Sequence, residues 1–138
     1  DDIYAVREAL EELAVRWAVN RITPEEIVAL EEQCDLMEFY TKKKDSKKVF
    51  ELNNSFHDVL YASARSRFLA QILRSYKEYI DKTRKSFFYE QSYLEGILAE
   101  HRAILEAIKE NDVDKAVDAM SRHMDASKLR AEAIWIIK

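Results

Sequence analysis

One glycine and one proline occur among the 138 residues of this chain, and this scarcity constrains its fold more than any other feature. Both residues interrupt helices, whereas Ala, Leu, Glu and Lys, in which the chain is rich, favour them. A chain of this length that is 48% apolar fits one domain, spanning residues 1–138, around a single core. The composition therefore predicts an all-α fold.

Capping residues and apolar spacings of three and four divide the chain into six predicted helices. Thr23-Pro24-Glu25-Glu26 joins a capping box to a proline at the first helical position, so it begins the second helix. Asp45 or Ser46 caps the third helix, Ser66 caps the fourth, and Asn111-Asp112 forms the turn before the sixth. The predicted spans are about 3–20, 24–40, 46–63, 66–88, 92–110 and 113–138. Short connections predict an antiparallel bundle of six helices, or of seven.

Two predicted helix faces bear on function. The first helix has an apolar seam made of Ile3, Val6, Leu10, Leu13 and Trp17. Arg7 lies beside this seam, either at its solvent-exposed rim or in a binding site. The fourth helix has an inner stripe that carries hydroxyl groups, and Arg84 flanks it. The stripe consists of Leu69, Ile72, Leu73, Tyr76, Tyr79, Ile80, Thr83 and Phe87. Hydroxyl groups on such a stripe either find buried partners or reach solvent at its edge.

Charge and composition argue against several classes of function. The net charge is −4, and the one basic cluster, within residues 42–48, is expected to be a solvated loop rather than a nucleic-acid patch. No signal peptide and no apolar run long enough for a bilayer occur, so a cytoplasmic protein without a membrane partner is expected. The single cysteine, Cys34, cannot form an internal disulfide and is predicted to be a small buried hydrophobe.

The three histidines, His57, His101 and His123, all lie on or beside an apolar helix face. His101 stands ten residues before Asn111 and His123 twelve after it, so their depths in an antiparallel pair differ by only about 3 Å. Asn53 lies one turn before His57 on the same side of its helix. Each histidine alone fits a hydrogen-bonded core residue, and spacing leaves open whether the third helix packs beside this hairpin. Together the four side chains form a predicted internal metal site.

Four short motifs follow one another along the chain and use every histidine. They are Val6-Arg7-Glu8-Ala9-Leu10-Glu11, Asn53-x-x-Phe56-His57, residues 100–108 beginning Glu100-His101, and Met120-Ser121-Arg122-His123. In this order they resemble the FCD effector-binding domain, which is the C-terminal domain of FadR-subfamily, GntR-type bacterial transcription regulators. The resemblance covers essentially the whole chain.

The resemblance implies a divalent metal in the middle of the bundle, held by an acidic residue and three histidines, with a small organic acid on its open side. Carried over, the ligands are Asn53, His57, His101 and His123. Nitrogen and oxygen ligands favour Zn or Ni, with Mn, Fe or Co as alternatives. Asn53 departs from the family's usual aspartate, because an amide offers an oxygen without a charge.

The resemblance also implies a winged helix-turn-helix domain before this one. The chain has no room for it, so we expect a fragment or a separately produced domain that contacts DNA only through that absent part. A carboxylate effector is expected to contact Arg7, Tyr76, Thr83 and Arg84. Its binding would shift helix packing at a homodimer interface and so modulate DNA binding.

Two other functions compete with effector sensing. A three-histidine site also describes a metal-dependent hydrolase or oxygenase, but no general base stands in a metalloprotease-like motif and no Glu-x-x-His pairs occur. We therefore expect the chain not to be an enzyme. The third possibility is a purely structural helical dimer with core histidines.

Overall fold

The computed structural model describes residues 2–83 and 90–137, and the side chains of residues 2–81 and 90–133. Six helices make up the described part, and no strand occurs within it. They are α1 (Asp2–Arg21), α2 (Pro24–Lys42), α3 (Ser46–Ser63), α4 (Arg67–Thr83), α5 (Gln91–Lys109) and α6 (Val113–Ile137). The predicted all-α bundle is confirmed, with helix bounds within about two residues of prediction wherever the chain is described. The predicted continuation of the fourth helix to residue 88 lies outside the described residues.

The helices form a closed ring. Helix α1 packs on α6, α6 on α5, α5 on α2 and α2 on α3, while α3 and α4 pack back onto α1. Helix α3 also reaches across the ring to α5, so residues of α1, α3, α5 and α6 meet in the middle. The main apolar core lies around α2, α3 and α5, and it includes Leu30, Cys34, Phe56, Leu60 and Ile104. None of the helices described combines the length and apolar character needed to cross a bilayer.

The helix starts follow the capping residues of the sequence. Thr23 Oγ1 accepts from the Glu26 backbone N–H at 3.2 Å, and Glu26 Oε1 accepts from the Thr23 N–H at 3.0 Å. Asp45 caps α3 by accepting from the Lys48 N–H at 3.1 Å, and Ser66 accepts from the Leu69 N–H at 3.2 Å. Each bond satisfies an N–H group that the first turn of a helix leaves without a partner.

The predicted face of α1 is confirmed in part, because Leu10, Leu13 and Trp17 pack against a core cluster, but the most buried stripe lies about one position further along. Ile3 and Val6 are 39% and 42% exposed, whereas Arg7 and Glu11 are buried. The other buried residues of the helix are Ala14, Val15, Ala18 and Val19. A purely apolar criterion favours the wrong stripe because the middle of this bundle is polar. Glu11 turns inward to meet polar groups of α3, and Arg7 pairs with Glu11 one turn away on α1, as described below.

The inner stripe of α4 also differs from its prediction. Leu69, Leu73 and Ile80 are buried as expected, but Tyr79 is 56% exposed and Lys77 takes the inward position. Tyr76 is half-buried and lines a groove on the outer side of the helix with Phe68, Ile72 and Ile3. The two tyrosines thus lie towards the edge of the stripe rather than at its buried centre. The sequence had left this alternative open. The side chains of Thr83 and Phe87 lie outside the described residues.

Three helix ends place a residue in the left-handed backbone region, where glycine is usual. Lys44, Arg65 and Asn111 have φ of 59°, 60° and 57°. Asparagine tolerates this region, and the Arg65 guanidinium forms an ion pair with Glu26 at 2.8 Å. The side chain of Lys44 is exposed, so fewer contacts of its side chain offset the steric cost of its positive φ than at Arg65.

We predict that Lys44→Gly raises the free energy of unfolding by about 0.5–1 kcal/mol, because glycine removes the steric cost of positive φ. Urea denaturation of both proteins checks this value. As a matched control, Arg65→Gly relieves the same cost but loses the Glu26 ion pair, so its gain should be smaller or absent. Equal gains at both positions would contradict this explanation.

Candidate metal centre

The three histidine rings meet in the middle of the bundle, as their positions in the sequence predict. His57 on α3 and His101 on α5 are fully buried, and His123 on α6 is 3% exposed. The ring centroids of His101 and His123 lie 4.5 Å apart, which confirms that they face each other across the α5–α6 hairpin. The His57 centroid lies 5.6 Å from that of His101 and 5.2 Å from that of His123. One ring nitrogen from each histidine lies within 4.8 Å of the other two.

Each Nδ1 atom is engaged by an acceptor. His57 Nδ1 lies 3.2 Å from Glu11 Oε1, and His123 Nδ1 lies 2.6 Å from Glu100 Oε1. His101 Nδ1 lies 2.7 Å from the backbone carbonyl oxygen of Ile97. Carboxylates and carbonyls accept only, so we assign the ring proton to Nδ1 in all three histidines. Each Nε2 atom is then unprotonated, and its lone pair can accept a hydrogen bond or coordinate an ion.

The Nε2 atoms occupy an arrangement that neutral imidazoles do not favour by themselves. His57 Nε2 and His123 Nε2 are 3.1 Å apart, so two lone pairs point at each other at hydrogen-bond distance with no proton between them. His101 Nε2 is buried without a hydrogen-bond partner. A divalent cation coordinated by the three atoms would satisfy them together, and a carboxylate or carbonyl behind each ligand is the usual support for metal-bound histidine.

Asn53 adds a fourth unsatisfied atom. Its Oδ1 is buried without a partner, while its Nδ2 donates to Asn54 Oδ1 at 3.5 Å. Within the described residues, only three other buried side-chain atoms lack a partner: Gln33 Oε1, Thr41 Oγ1 and Gln91 Oε1. A buried polar atom left unpaired costs about 1–3 kcal/mol. Two of the five such atoms thus belong to the four-residue set predicted from the sequence, and the residues present fit a divalent ion.

The electrostatics of the site keep the histidines ready to bind a metal. Burial lowers the pKa of His57 to about 4, although the Glu11 carboxylate acts in the opposite direction. Burial and the neighbouring rings of His123 and His57 lower the pKa of His101 well below its ordinary value. Both imidazoles are therefore neutral at neutral pH, which is the form that coordinates metal.

Glu11 is the buried anion behind His57. Its side chain is fully buried, and its Oε2 accepts from the Tyr61 hydroxyl at 2.5 Å and from Arg7 Nε at 3.3 Å. Burial acts to raise the pKa of Glu11, but His57, Arg7 and Tyr61 together outweigh it and lower that pKa to about 2. The carboxylate stays ionised and orients the His57 ring.

Glu100 orients the ring of His123 as Glu11 orients that of His57, and Arg130 holds Glu100 in place. Its two oxygens accept from the Arg130 guanidinium at 2.7 Å each, and its side chain is 18% exposed. Burial acts to raise the pKa of Glu100, but the bonds from Arg130 and His123 prevail and lower it. The pair links the imidazole of His123 to the C-terminal half of α6.

Sequence reasoning singled out the candidate ligands but missed the residues that contact the histidine rings from behind. Glu100 directly precedes His101, and Glu11 follows Arg7 by four residues, so both stood in motifs that were already singled out. Lys77 lies four residues after Leu73 and three before Ile80, a spacing that places it on the apolar stripe of α4. A charged residue at a core position was the available signal.

Of the four predicted effector residues, the described structure includes the side chains of Arg7 and Tyr76. Arg7 is 7% exposed and lies beside the histidine cluster through Glu11, and it also borders a cleft of about 210 Å³ between α1 and α6. Tyr76 lies in the outer groove of α4. The side chain of Thr83 and all of Arg84 lie outside the described residues.

Comparison with known proteins gives one family. The family model of the FCD domain matches residues 2–126. The uncharacterized HTH-type transcriptional regulator YdhC of Bacillus subtilis (strain 168) is 29% identical over 127 residues, which cover 91% of this chain and 56% of that protein. The HTH-type transcriptional repressor RspR of Escherichia coli (strain K12) is 27% identical over 119 residues, covering 86% and 52%. The chain thus spans about half the length of these relatives.

Solved structures show the same fold. E. coli McbR/YncC superposes with a TM-score of 0.84 at 18% identity, covering 98% of this chain and 65% of that one. Streptococcus agalactiae GntR gives a TM-score of 0.79 at 24% identity, covering 91% and 56%. At these identities the likeness extends to the fold alone.

Because the folded state holds His57 neutral, we predict that metal-free protein loses stability as the pH falls. The unfolded histidine, with a pKa near 6.5, takes up a proton between about pH 6.5 and 4, whereas the folded one does not until about pH 4. Stability is then complete above pH 6.5, and about 3 kcal/mol from this group disappears by pH 4. Chemical denaturation at intervals across this range, in the presence of chelator, measures the loss.

The control variant is His57→Asn, whose amide can still donate to Glu11. Its stability should vary less between pH 6.5 and 5.5, a window that lies above the ordinary pKa of about 4.5 that Glu11 has in the unfolded chain. A variant with the same pH slope as the parent would show that His57 is not the group responsible.

Proposed function

The chain belongs to the FCD domain family, and from this premise we propose that it is the effector-sensing domain of a GntR-type bacterial transcription regulator. In this proposal the domain binds a divalent metal and a small organic acid in the middle of the bundle. It thereby modulates DNA binding by a winged helix-turn-helix domain that precedes it in the full protein. We further propose that the regulator is a cytoplasmic homodimer.

The observation that carries the metal proposal is the convergence of three imidazole Nε2 atoms whose Nδ1 atoms are all engaged behind them. His57, His101 and His123 would hold the ion, and Asn53 would contribute its amide oxygen. When bound, the ion supplies positive charge that attracts an anionic effector. Nitrogen and oxygen ligands favour Zn or Ni, while Mn, Fe or Co stay alternatives.

Arg7 is the best-supported effector residue of the set predicted from the sequence. Its guanidinium donates one N–H group to Glu11 and has four further N–H groups. Arg7 also borders the cleft between α1 and α6. A guanidinium fork suits a carboxylate. Tyr76, Thr83 and Arg84 stay predicted effector residues, and Tyr76 lines a groove with Ile3 and Phe68.

A regulatory role agrees with the names of the relatives, which are transcriptional regulators and, in one case, a repressor. The expectation that the chain is not an enzyme is supported by those names. The metalloenzyme alternative is therefore not favoured.

The first experiment is metal binding to protein stripped with a chelator. We expect an excess of Zn²⁺ or Ni²⁺ to raise the melting temperature, because a ligand of the folded state stabilises it by about 4 kcal/mol when the free ligand concentration is a thousand times Kd. In His101→Ala the same addition should give no shift relative to its own metal-free form. Equal melting of the parent protein with and without each metal of the series would remove the metal proposal.

The second experiment adds small carboxylates to the loaded and the stripped protein and measures binding by calorimetry. We expect at least one carboxylate to bind only when metal is present, and binding to weaken in Arg7→Met. A panel of acetate, lactate, succinate and citrate covers one, two and three carboxylates. Absence of metal-dependent binding across the panel and its longer homologues would refute effector sensing at this site.

A separate prediction concerns the residue behind His123. Replacing Glu100 with glutamine removes the charge that orients the His123 ring, so we expect metal affinity to fall by about 10- to 100-fold. The control is Glu110→Gln, whose carboxylate pairs with Lys115 on the surface and should not affect the metal. Competition with a chromophoric chelator measures both constants. Equal affinities in the two variants would deny Glu100 this role.

A further inference from the structure

The outer face of α4 presents large apolar side chains to water. Phe68 is 76% exposed, which makes it the most exposed large hydrophobic side chain among the described residues, and Tyr79 is 56% exposed. Both line one groove with Ile3 of α1, and the other residues of that groove also lie on α4: Gln71, Ile72, Ser75 and Tyr76. Exposed apolar residues that cluster in this way mark an interaction surface, whereas single scattered ones do not.

The apolar part of this face is symmetric along the helix. At 100° per residue, four residues lie within about 60° of one another and form what we call the outer α4 row: Phe68, Ile72, Ser75 and Tyr79. Phe68 and Tyr79 lie equally far from the middle of the row, and so do Ile72 and Ser75. A second α4 that runs in the opposite direction therefore places Phe68 opposite the partner's Tyr79, and Ile72 opposite the partner's Ser75. Aromatic pairs of this kind are favourable contacts.

A charged row flanks the outer α4 row. Arg67, Arg74 and Glu78 lie within about 40° of one another around the helix and line the groove on its other side. In the antiparallel arrangement Arg67 lies on the same flank as the partner's Glu78, and the two differ in height by only about 3 Å. Arg74 lies near the twofold axis, where its charge is offset by Asp58 of its own chain, at 3.7 Å.

These charges favour one orientation of the two helices. In a parallel pair Arg67 would face the partner's Arg67, and Glu78 would face the partner's Glu78, so like charges would be opposed at both ends. In the antiparallel pair an arginine faces a glutamate at each end. A twofold interface brings the same patch of both copies together, so the patch has to complement itself. The outer face of α4 does so in both its rings and its charges.

We propose that two copies of this chain associate through the outer α4 row, with their α4 helices antiparallel about a twofold axis. The axis passes at the level of Leu73 and Arg74, and Ile3 of α1 widens the contact on one side. This inference rests on the proposed function, since the homodimer is part of it. It gives that homodimer a surface, which the proposed function leaves open.

The first test is the oligomeric state of the 138-residue chain, measured by sedimentation over a range of concentrations. We expect a monomer–dimer equilibrium whose dissociation constant rises at least about tenfold in Phe68→Glu, because aromatic side chains contribute strongly to interface energy. The matched control is Phe39→Glu on α2, where Phe39 is 52% exposed, and it should associate as the parent does. Melting curves of both variants show whether they are folded.

A charge exchange tests the antiparallel orientation. Arg67→Glu or Glu78→Arg alone opposes like charges at both ends of the contact, so each should weaken association at least about threefold. Combining the two substitutions in one chain restores opposite charges, so the double variant should regain most of the lost affinity. Weakening by both single variants without recovery in the double variant would overturn the antiparallel arrangement.

The outcomes separate this inference from the function on which it rests. Equal dissociation constants for the parent and Phe68→Glu overturn the α4 surface and leave the homodimer to another face. Equal weakening in Phe68→Glu and Phe39→Glu also overturns it, since the effect would not be specific to α4. A chain that stays monomeric at every concentration overturns both the α4 surface and the homodimer, whereas metal and carboxylate binding are measured independently of it.

Discussion

The middle of this bundle depends on the hydrogen bond between the Glu11 carboxylate and His57 Nδ1. A carboxylate buried without partners would be protonated or would prevent the helix from packing, so its presence dictates its surroundings. Arg7, Tyr61 and His57 each donate to it from a different direction. These bonds join α1 to α3, fix the proton of the ring on Nδ1, and leave Nε2 directed at the other two histidines. One ionised group thus sets both the packing of two helices and the chemistry of the ring between them.

Features that depend on neighbouring residues could be predicted from the sequence. The capping box of Thr23 and Glu26, the cap at Asp45 and the turn at Asn111 each need only a few adjacent residues, and all three are confirmed. The meeting of His101 and His123 follows from counting along one hairpin, because a short turn fixes the register of its two helices. The structure also brings His57 to that pair, which spacing alone had left open.

The faces of α1 and α4 could not be predicted in this way. Apolar periodicity assumes an apolar interior, and it selected Ile3 and Val6 over Arg7 and Glu11, and Tyr79 over Lys77. Glu11 and Lys77 turn inward because distant segments supply their partners, which are Tyr61, His57 and the Asn54 carbonyl, and Arg7 follows Glu11, with which it pairs. The information that decides the orientation of such a helix is non-local, and it becomes available only when the bundle is assembled.

The distances along the chain between the histidines bear on how the protein folds. His101 and His123 belong to one hairpin, so two of the imidazoles can come together early, through a short loop. His57 is 66 residues from His123 and 46 from Glu11, and contacts that close such long loops form slowly. An ion captured by the hairpin alone would be held by half its ligands until α1 and α3 docked. In the proposed function, folding kinetics would therefore depend on when, as well as whether, the metal is added.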